Sequence, residues 1–345
     1  MALTYITPAL QQEAWARDTY SAGKEKTFFN KFMGKASDSI IHVKEELSKG
    51  DGTSITIPLL LPLKGAGIAG DNMLEGNEEA LIYRDFKVEL QRIRNAVRIA
   101  GKFEEHKTQY NMRLDAKNGL ADWLARYIDC AIFSVLTGVL NTDMNWTQLD
   151  FPFPLEAPSP DRVLIANNLG NENLIAATDT FSTDIIGQAK RKALETTDQQ
   201  VRPININGKE TFVMVINQYQ ARDLKNDQKW VEAQEQGNVR GEKNPIFSGA
   251  LGIWDGVVIH ENNRIPRTEN SNNVKVGHAL LLGAQACVFA EGEAPEWNEK
   301  TFDYGNQYGV SFGRMFGLKR SQFKYDGTNN TDFGVINVLT SAVDD

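Results

Sequence analysis

Two segments of alternating apolar residues flank a glycine-rich stretch, and this arrangement constrains the fold more than any other feature of the chain. The segments are Thr53–Leu63 and Leu81–Ile99. The alternate apolar positions are Ile55, Ile57, Leu59, Leu61 and Leu63 in the first segment and Phe86, Val88 and Leu90 in the second. The glycines between them are Gly65, Gly67, Gly70 and Gly76. A period of two is typical of a strand with one apolar face, and glycine favours turns, so this region is predicted to form a long β-hairpin.

The predicted hairpin is long compared with the body of the chain. At roughly 3.3 Å per residue its strands reach about 35 to 60 Å. A compact chain of this length has a radius of gyration of only about 20 Å. We therefore expect the hairpin to project and to bury its apolar face on another molecule, which favours a component of an assembly over a self-contained enzyme. An ordinary long hairpin on a single domain is the alternative.

Two details refine the hairpin. Pro58 and Pro62 are separated by an even number of positions, so both lack an N–H donor on the same edge of the first strand. No further strand can pair fully along that edge, and the first strand is therefore predicted to be an edge strand. The apolar positions of the second strand are even before Gln91–Arg92 and odd after it. Either a bulge lies at that point, or the strand passes there from one environment to another.

Composition limits the class of protein. The chain has 345 residues and a net charge of −8. This length allows a sizeable core, and the acidic balance argues against coating nucleic acid through the bulk surface. The two distant cysteines, Cys130 and Cys287, do not suggest a disulfide framework. The longest apolar run, Ala131–Leu140, is too short to span a bilayer, and the first residues lack a secretory pattern, so we expect a soluble chain made in a cytoplasm.

The remaining pattern mixes helices and strands without a regular βαβ order, so the predicted class is α+β. The longest helix is expected at residues 105–140, with a plausible end at Asn141 and apolar residues recurring every three or four positions. Other helices are predicted near Gln11–Tyr20, from Thr183 to Thr197 and from Asn217 to Gln236. Strands are predicted at Thr211–Ile216, Gly256–His260, Ala279–Ala290, Phe302–Lys319 and Phe333–Leu339.

Two short motifs resemble chemical sites but lack the context that such sites need. GAGIAG at Gly65–Gly70 matches the dinucleotide fingerprint, yet the strand before it carries two prolines and no helical pattern follows. GVSFG at Gly309–Gly313 matches the nucleophile elbow of hydrolases, but its flanks alternate as one continuous strand and no histidine follows Ser311. The four histidines are scattered and give no zinc pattern. We predict no catalytic residue, no cofactor and no metal.

The second strand of the hairpin is basic within an acidic chain. It carries Arg92, Arg94 and Arg98 on one parity. These arginines could form a solvated face, or they could pair with acidic patches on a neighbouring subunit, because charge complementarity sets register in interfaces. Nucleic-acid binding ranks third, since no aromatic residues interleave with the arginines. The residues predicted to contact another subunit are Gly65, Gly67, Gly70, Leu74, Arg92, Arg94 and Arg98.

The order of these elements resembles the major capsid protein of tailed bacteriophages with the Hong Kong 97-type fold. Several stretches are similar to the coat proteins of N-four-like podoviruses. They are FSGALGIWDGVVIHENNRIP at Phe247–Pro266, HALLLGAQACVFAEG at His278–Gly292, GVSFGRMFGLKR at Gly309–Arg320 and DFGVINVLTSA at Asp332–Ala342. Each motif is weakly specific alone, and their order carries the resemblance.

The resemblance implies a structural shell subunit that forms pentamers and hexamers around double-stranded DNA. It implies an N-terminal arm at 1–50, an extended loop (the long β-hairpin) at 51–100, a peripheral domain with a spine helix at 101–204, an axial domain at 205–301 and C-terminal strands at 302–345 that return to the peripheral domain. Expected partners are further copies of the chain, a separate scaffolding protein, a portal and decoration proteins, with no membrane. The expected location is the virion capsid after assembly in the host cytoplasm. Some relatives cross-link a loop lysine to a neighbour, and Lys64 is the lysine near the tip.

Three rival functions remain open from the sequence. The first is the shell of a cellular nanocompartment with the same fold, which would enclose enzyme cargo rather than DNA. The second, from a different class, is an α+β hydrolase using Ser311. The third is a tail or baseplate adaptor.

Overall fold

A computed structural model describes residues 8–46, 52–61, 63, 65, 67–70, 73, 75–107, 111–195, 199–206, 208–236, 250–325 and 328–344. The helices are α1 (Pro8–Lys26), α2 (Lys102–Lys107), α3 (Met112–Thr137), α4 (Thr183–Glu195), α5 (Gln218–Asn226) and α6 (Gln228–Gln236). The strands are β1 (Met33–Gly34), β2 (Ile41–Lys44), β3 (Ser54–Leu60), β4 (Tyr83–Glu89), β5 (Gln91–Arg98), β6 (Val163–Ile165), β7 (Ile204–Ile206), β8 (Lys209–Ile216), β9 (Ala250–Trp254), β10 (Val257–Glu261), β11 (Arg267–Glu269), β12 (Lys275–Leu282), β13 (Cys287–Glu291), β14 (Glu296–Phe302), β15 (Gln307–Arg320), β16 (Gln322–Phe323), β17 (Thr331–Asp332) and β18 (Val335–Ser341). The class is α+β, as predicted.

A six-stranded sheet is built around β15, the longest strand described. This strand pairs antiparallel with β5, β13 and β14, and β13 continues the sheet through parallel pairing with β2. Phe312 and Phe316 of β15 are fully buried in one cluster with apolar residues of α1 and α3. One face of this sheet is therefore covered by the two longest helices of the described chain.

An eight-stranded sheet forms the second core. Its strands run in the order β6, β18, β12, β8, β10 and β9, with β11 beside β12 and β7 beside β8. Ile186 and Ala189 of α4 and Leu224 of α5 are fully buried against its apolar residues. The last strand, β18, lies between β6 and β12, so the C-terminal segment belongs to this sheet, whereas β13, β14 and β15 belong to the six-stranded sheet.

The long helix is shorter than the sequence indicates. α3 begins after Asn111, whose side chain accepts a hydrogen bond from the amide of Leu114. It ends at Thr137, because Gly138 adopts a left-handed conformation with φ of 74°, which stops an α-helix. The helix predicted to run to residue 140, with Asn141 as its stop, therefore ends three residues earlier. Among the apolar residues that recur every three or four positions, Leu124, Ile128, Ile132 and Val135 are buried, whereas Leu114 is 46% exposed.

Two further predictions are wrong because turns interrupt apolar runs. Ala279–Ala290 is not one strand, since the chain turns after β12 and enters the other sheet as β13. Gln285 in that turn has φ of 55°. The helix predicted from Asn217 to Gln236 divides into α5 and α6 at Asp227, whose carboxylate accepts hydrogen bonds from the amide and hydroxyl of Thr183.

Two other boundaries differ from the sequence prediction. The N-terminal helix extends over Pro8–Lys26 rather than Gln11–Tyr20. The strand predicted from Phe302 begins only at Gln307, because Asp303–Gly305 forms a tight 3-10 turn between β14 and β15. Asp303 and Tyr304 in this turn both have positive φ, near 48°.

Candidate assembly surface

The predicted hairpin is present as a two-stranded ribbon. β3 and β4 pair antiparallel, with Ile55 opposite Val88 and Ile57 opposite Phe86. The ribbon extends beyond the regular strands, because the amide of Leu61 donates to the carbonyl of Ile82. Within the described chain β3 has no second neighbour, so Pro58 lies on an edge strand as predicted. Pro62 lies outside the described residues.

The change of apolar parity in the second strand has a structural cause. β4 ends at Glu89 and β5 begins at Gln91, and the two strands belong to different sheets. β4 pairs with β3 in the ribbon, whereas β5 pairs with β15 in the body. The second of the two predicted explanations is therefore correct: the strand passes from one environment to another.

The inner half of the ribbon packs against its own chain. Phe86 and Val88 are buried in a cluster with Val288 of β13 and with Phe323 and Phe333. The expectation that the apolar face would be buried on another molecule is therefore wrong for this half. The physical reason is that β13 and the segment after β15 provide an apolar surface beside the base of the ribbon.

The outer half of the ribbon is exposed in the single chain. Large apolar side chains there lie open to solvent, with Met73 exposed to 72% and Tyr83 to 62%. The others are Leu60, Leu63, Leu81 and Ile82. Several large exposed apolar side chains within one segment are typical of an interaction surface, so this part of the ribbon is a candidate contact surface.

The glycines of the tip have a local structural role. Gly67 and Gly70 both have φ of 68°, a left-handed conformation that side chains disfavour. Gly65 donates its amide to the carboxylate of Glu79 at 2.6 Å, which holds the two branches of the tip together. Leu74, the fourth predicted contact residue of the tip, lies outside the described residues, as does Lys64. None of the described residues after Gly70 begins a helix before Lys102, so the phosphate-binding geometry of a dinucleotide motif is not formed here.

The three predicted arginines lie in one row on the exposed face of β5. Arg92, Arg94 and Arg98 are exposed, while Ile93 between them is buried. Gly313 and Gly309 stand opposite Arg94 and Arg98 on β15. A Cβ atom at Gly313 would lie 3.1 Å from Cγ of Arg94, so the absence of a side chain there lets the arginine lie flat across the sheet.

Two of the three arginines already have partners within the chain. Arg92 forms an ion pair with Glu296 on β14. Arg98 donates to the side-chain oxygen of Gln307, and its guanidinium lies 4.2 Å from the ring centre of Phe302. Among the described residues, no carboxylate forms an ion pair with Arg94. The row is thus unequally compensated, which the sequence alone did not indicate.

Aromatic residues lie beside this row, and the sequence did not predict them as part of the surface. Phe302 contacts Arg98, and the fully exposed Tyr304 follows it in the turn between β14 and β15. Phe103 of α2 is also exposed. The D-Y-G turn between two alternating segments is the signal that could have identified Tyr304.

The hydrolase motif has no catalytic geometry in the described chain. Ser311 lies inside β15, opposite Asn298 on one side and Ala96 on the other. Its hydroxyl donates to the carbonyl of Asn298 at 3.3 Å, and there is no strand-to-helix turn at this position. Across the described residues no group of three His, Cys, Asp or Glu side chains could hold a metal ion. No helix in the same residues is long and apolar enough to cross a membrane.

Similarity to known proteins identifies the family. A model of the phage capsid protein family matches residues 5–344. The chain is 31% identical to the major capsid protein of Pseudomonas phage KPP25, over 96% of this chain and 95% of that protein. It is 26% identical to the capsid of Ralstonia phage GP4, with a TM-score of 0.82 and 92% of each chain covered.

The same fold occurs at lower identity in the capsid of cyanophage Pam1, with 21% identity, a TM-score of 0.77 and full coverage of both chains. These matches confirm the Hong Kong 97-type fold expected from the sequence. They extend over almost the whole length of the chain rather than over one motif. The chain belongs to the phage capsid protein family.

Proposed function

We propose that this chain is the major capsid protein of a tailed phage and that its copies assemble into the pentamers and hexamers of an icosahedral shell. The observation that carries the proposal is the ribbon formed by β3 and β4. Its inner half is fixed to the body, while its outer half exposes apolar side chains that a single chain does not cover. Burying that surface on a second copy is favourable at roughly 25 cal/mol per Å² of apolar area.

The contact residues predicted from the sequence belong to this proposal. Gly67 and Gly70 shape the tip of the ribbon, and Arg92, Arg94 and Arg98 line the exposed face of β5. We assign both surfaces to contacts between subunits. The domain division expected from the sequence also stays a proposal, with a peripheral domain at 101–204, an axial domain at 205–301 and C-terminal strands at 302–345 that return to the peripheral domain.

The contents and partners of the shell follow from the same proposal. The shell would enclose double-stranded DNA, and a net charge of −8 suits a wall that must not bind DNA tightly during packaging and release. A separate scaffolding protein, a portal and decoration proteins are the proposed partners, and assembly takes place in the host cytoplasm before the protein resides in the virion. The protein has no catalytic role in this proposal, and a fluorophosphonate probe should not label Ser311.

Electron microscopy and velocity sedimentation of the recombinant chain test the proposal. Closed shells, tubes or ring-shaped capsomers are expected as the protein concentration rises. A uniform monomer over the whole concentration range would contradict it. Specific labelling of Ser311, abolished in Ser311→Ala, would favour the hydrolase instead.

A further inference from the structure

A cavity of about 630 Å³ lies on one face of the eight-stranded sheet, against β6, β12 and β18. Val163, Ile165 and Leu339 form an apolar wall of this cavity. The segment that follows α3 and residues 168–172 complete it. Its volume lies in the range of sites that hold small molecules, roughly 300 to 1,000 Å³. The proposed function makes no use of it.

Two polar side chains of this wall are buried. His278 of β12 is 4% exposed, and Asn337 of β18 is fully buried. His278 stands opposite Leu339, two positions from Asn337, so the two side chains project from the same face of the sheet with their backbones about 7 Å apart. Among the described residues no group forms a hydrogen bond with Nδ1 of His278 or with Oδ1 of Asn337. Buried polar atoms are nearly always paired, so these two atoms indicate a place where a ligand supplies hydrogen bonds.

Both unpaired atoms are acceptors. The hydroxyl of Thr268 donates its one hydrogen to Glu172 at 2.5 Å, so the contact of 3.1 Å between Thr268 and His278 requires Nε2 of the imidazole to donate. Nδ1 of His278 then carries a free lone pair. The amide nitrogen of Asn337 donates to the carbonyl of Leu136 at 3.2 Å, which identifies Oδ1 as the unpaired atom. A ligand that satisfies this wall must therefore bring donors.

The charges around the two acceptors favour a cationic donor. Burial lowers the pKa of His278 below its ordinary 6.5, although Glu172 acts in the opposite sense, so the imidazole is neutral at pH 7. The carboxylate of Glu172 lies behind it, joined through Thr268. The cation of the lining, Lys192, belongs to α4, which covers the opposite face of the sheet, so it reaches the cavity only around the edge at β6.

We propose that this cavity binds a small molecule in which an apolar body carries a planar amidinium or guanidinium group. Such a group presents two N–H donors side by side, which meet Nδ1 of His278 and Oδ1 of Asn337 together. Water is the rival occupant. The cavity has room for about 20 water molecules, and each ordered water needs two to four polar partners, which the apolar wall does not supply.

Calorimetric titration of the purified, unassembled chain with benzamidine and with benzoate tests this inference. The two probes share a ring and a planar end group, but benzamidine offers donors, whereas benzoate offers only acceptors. Benzamidine should bind, and benzoate should bind at least about tenfold more weakly, because its oxygens would face the two acceptors.

Two variants remove one acceptor each. His278→Phe and Asn337→Leu should each weaken benzamidine binding by about tenfold. The carbonyl of Leu136 also accepts a hydrogen bond from Arg320, so Asn337→Leu leaves it paired. His42→Phe makes the same exchange on β2 of the other sheet and should bind benzamidine as the wild type does.

Each outcome decides for or against the site. Equal affinity for the two probes, or unchanged benzamidine affinity in a variant that melts like the wild type, would overturn the inference. Binding of neither probe by the wild type would also overturn it and would assign the cavity to water. If both variants unfold, a structure of the wild type with benzamidine decides, since a probe bound away from His278 and Asn337 contradicts the assignment. The titration uses unassembled chains, so its result does not depend on the proposed function.

Discussion

Asp129 shows how a single residue joins distant parts of this subunit. It lies on α3 and is fully buried. Its carboxylate accepts hydrogen bonds from the amides of Phe28 and Phe29, at 3.0 and 3.3 Å, and pairs with Arg264 at 2.5 Å. The N-terminal segment, the long helix and the loop after β10 therefore meet at one carboxylate.

The burial of Asp129 has a consequence for pH. Burial raises the pKa of Asp129 to about 6 from its ordinary 3.8, against the opposing effects of the two amides and of Arg264. Between pH values of about 4 and about 6, the folded chain therefore binds more protons at Asp129 than the unfolded chain does. The contribution of Asp129 to the free energy of unfolding declines as the pH rises through this range.

We expect Asp129→Asn to remove this pH dependence. Between pH 4 and pH 7 the wild type should lose stability relative to the variant by an amount on the order of 2 kcal/mol, measured by denaturant unfolding. Asp122→Asn changes an exposed aspartate of the same helix and serves as the control. Parallel pH profiles for wild type and Asp129→Asn would show that Asp129 titrates as in the unfolded chain.

Ile128 and Leu114 offer a matched pair on the same helix. Ile128 is 2% exposed and Leu114 is 46% exposed. Ile128→Asp places an unpaired carboxylate in the core, which costs several kcal/mol and should give insoluble protein. Leu114→Asp should remain soluble, with a melting temperature close to that of the wild type. Equal solubility of the two variants would mean that the Ile128 face is exposed.

At the scale of single elements, the ribbon is the part that the sequence predicted best. The period of two and the glycines of the tip are local signals, and the change of parity at Gln91 left two explanations, a bulge or a change of environment, of which the second is found. The burial of Phe86 and Val88 was not predictable in the same way, because their partners, Val288 and Phe323, are about 200 residues away in sequence.

Deleting residues 66–78 removes the tip and keeps both strands of the ribbon. The inner half packs on its own chain, so the shortened chain should fold and stay soluble. The tip contributes contacts only between copies in this account, so the same variant should form no shells. Circular dichroism and sedimentation measure the two properties. Loss of folding, or normal shells, would show that the tip has a different role.

The elements that the sequence predicted poorly are those whose ends depend on distant contacts. The helix predicted from Asn217 divides at Asp227, whose backbone is extended and whose carboxylate accepts hydrogen bonds from the amide of Lys229 and from Thr183, a residue 44 positions earlier. The apolar segment from Ala279 to Ala290 was predicted as one buried strand. Both of its strands are buried on two faces, so apolar and polar residues do not alternate and the turn between the strands leaves no pattern in the sequence.

At the scale of the whole molecule, sequence patterns indicated the class but not the division of strands between sheets. β12 and β13 are separated by a short turn and yet lie in different sheets. β18 pairs with β6 in parallel and with β12 in antiparallel arrangement. Such pairings depend on which surfaces remain uncovered after local folding, so periodicity alone does not define them.

Only part of the proposed assembly surface could likewise be predicted from the sequence. The sequence predicted contacts at the arginines of β5 and the glycines of the tip, and these contacts stay predictions. It did not indicate that Arg92 and Arg98 have partners on β14 and β15, because those partners, Glu296 and Gln307, lie more than 200 positions away in sequence.

A cryo-electron microscopy reconstruction of assembled particles tests the central claim most directly, because it locates residues 65–80 relative to neighbouring copies. The account predicts that each tip lies on a different copy, with the apolar side chains of the outer ribbon buried there. Tips that fold onto their own subunit, or particles in which the outer ribbon remains exposed, would contradict it.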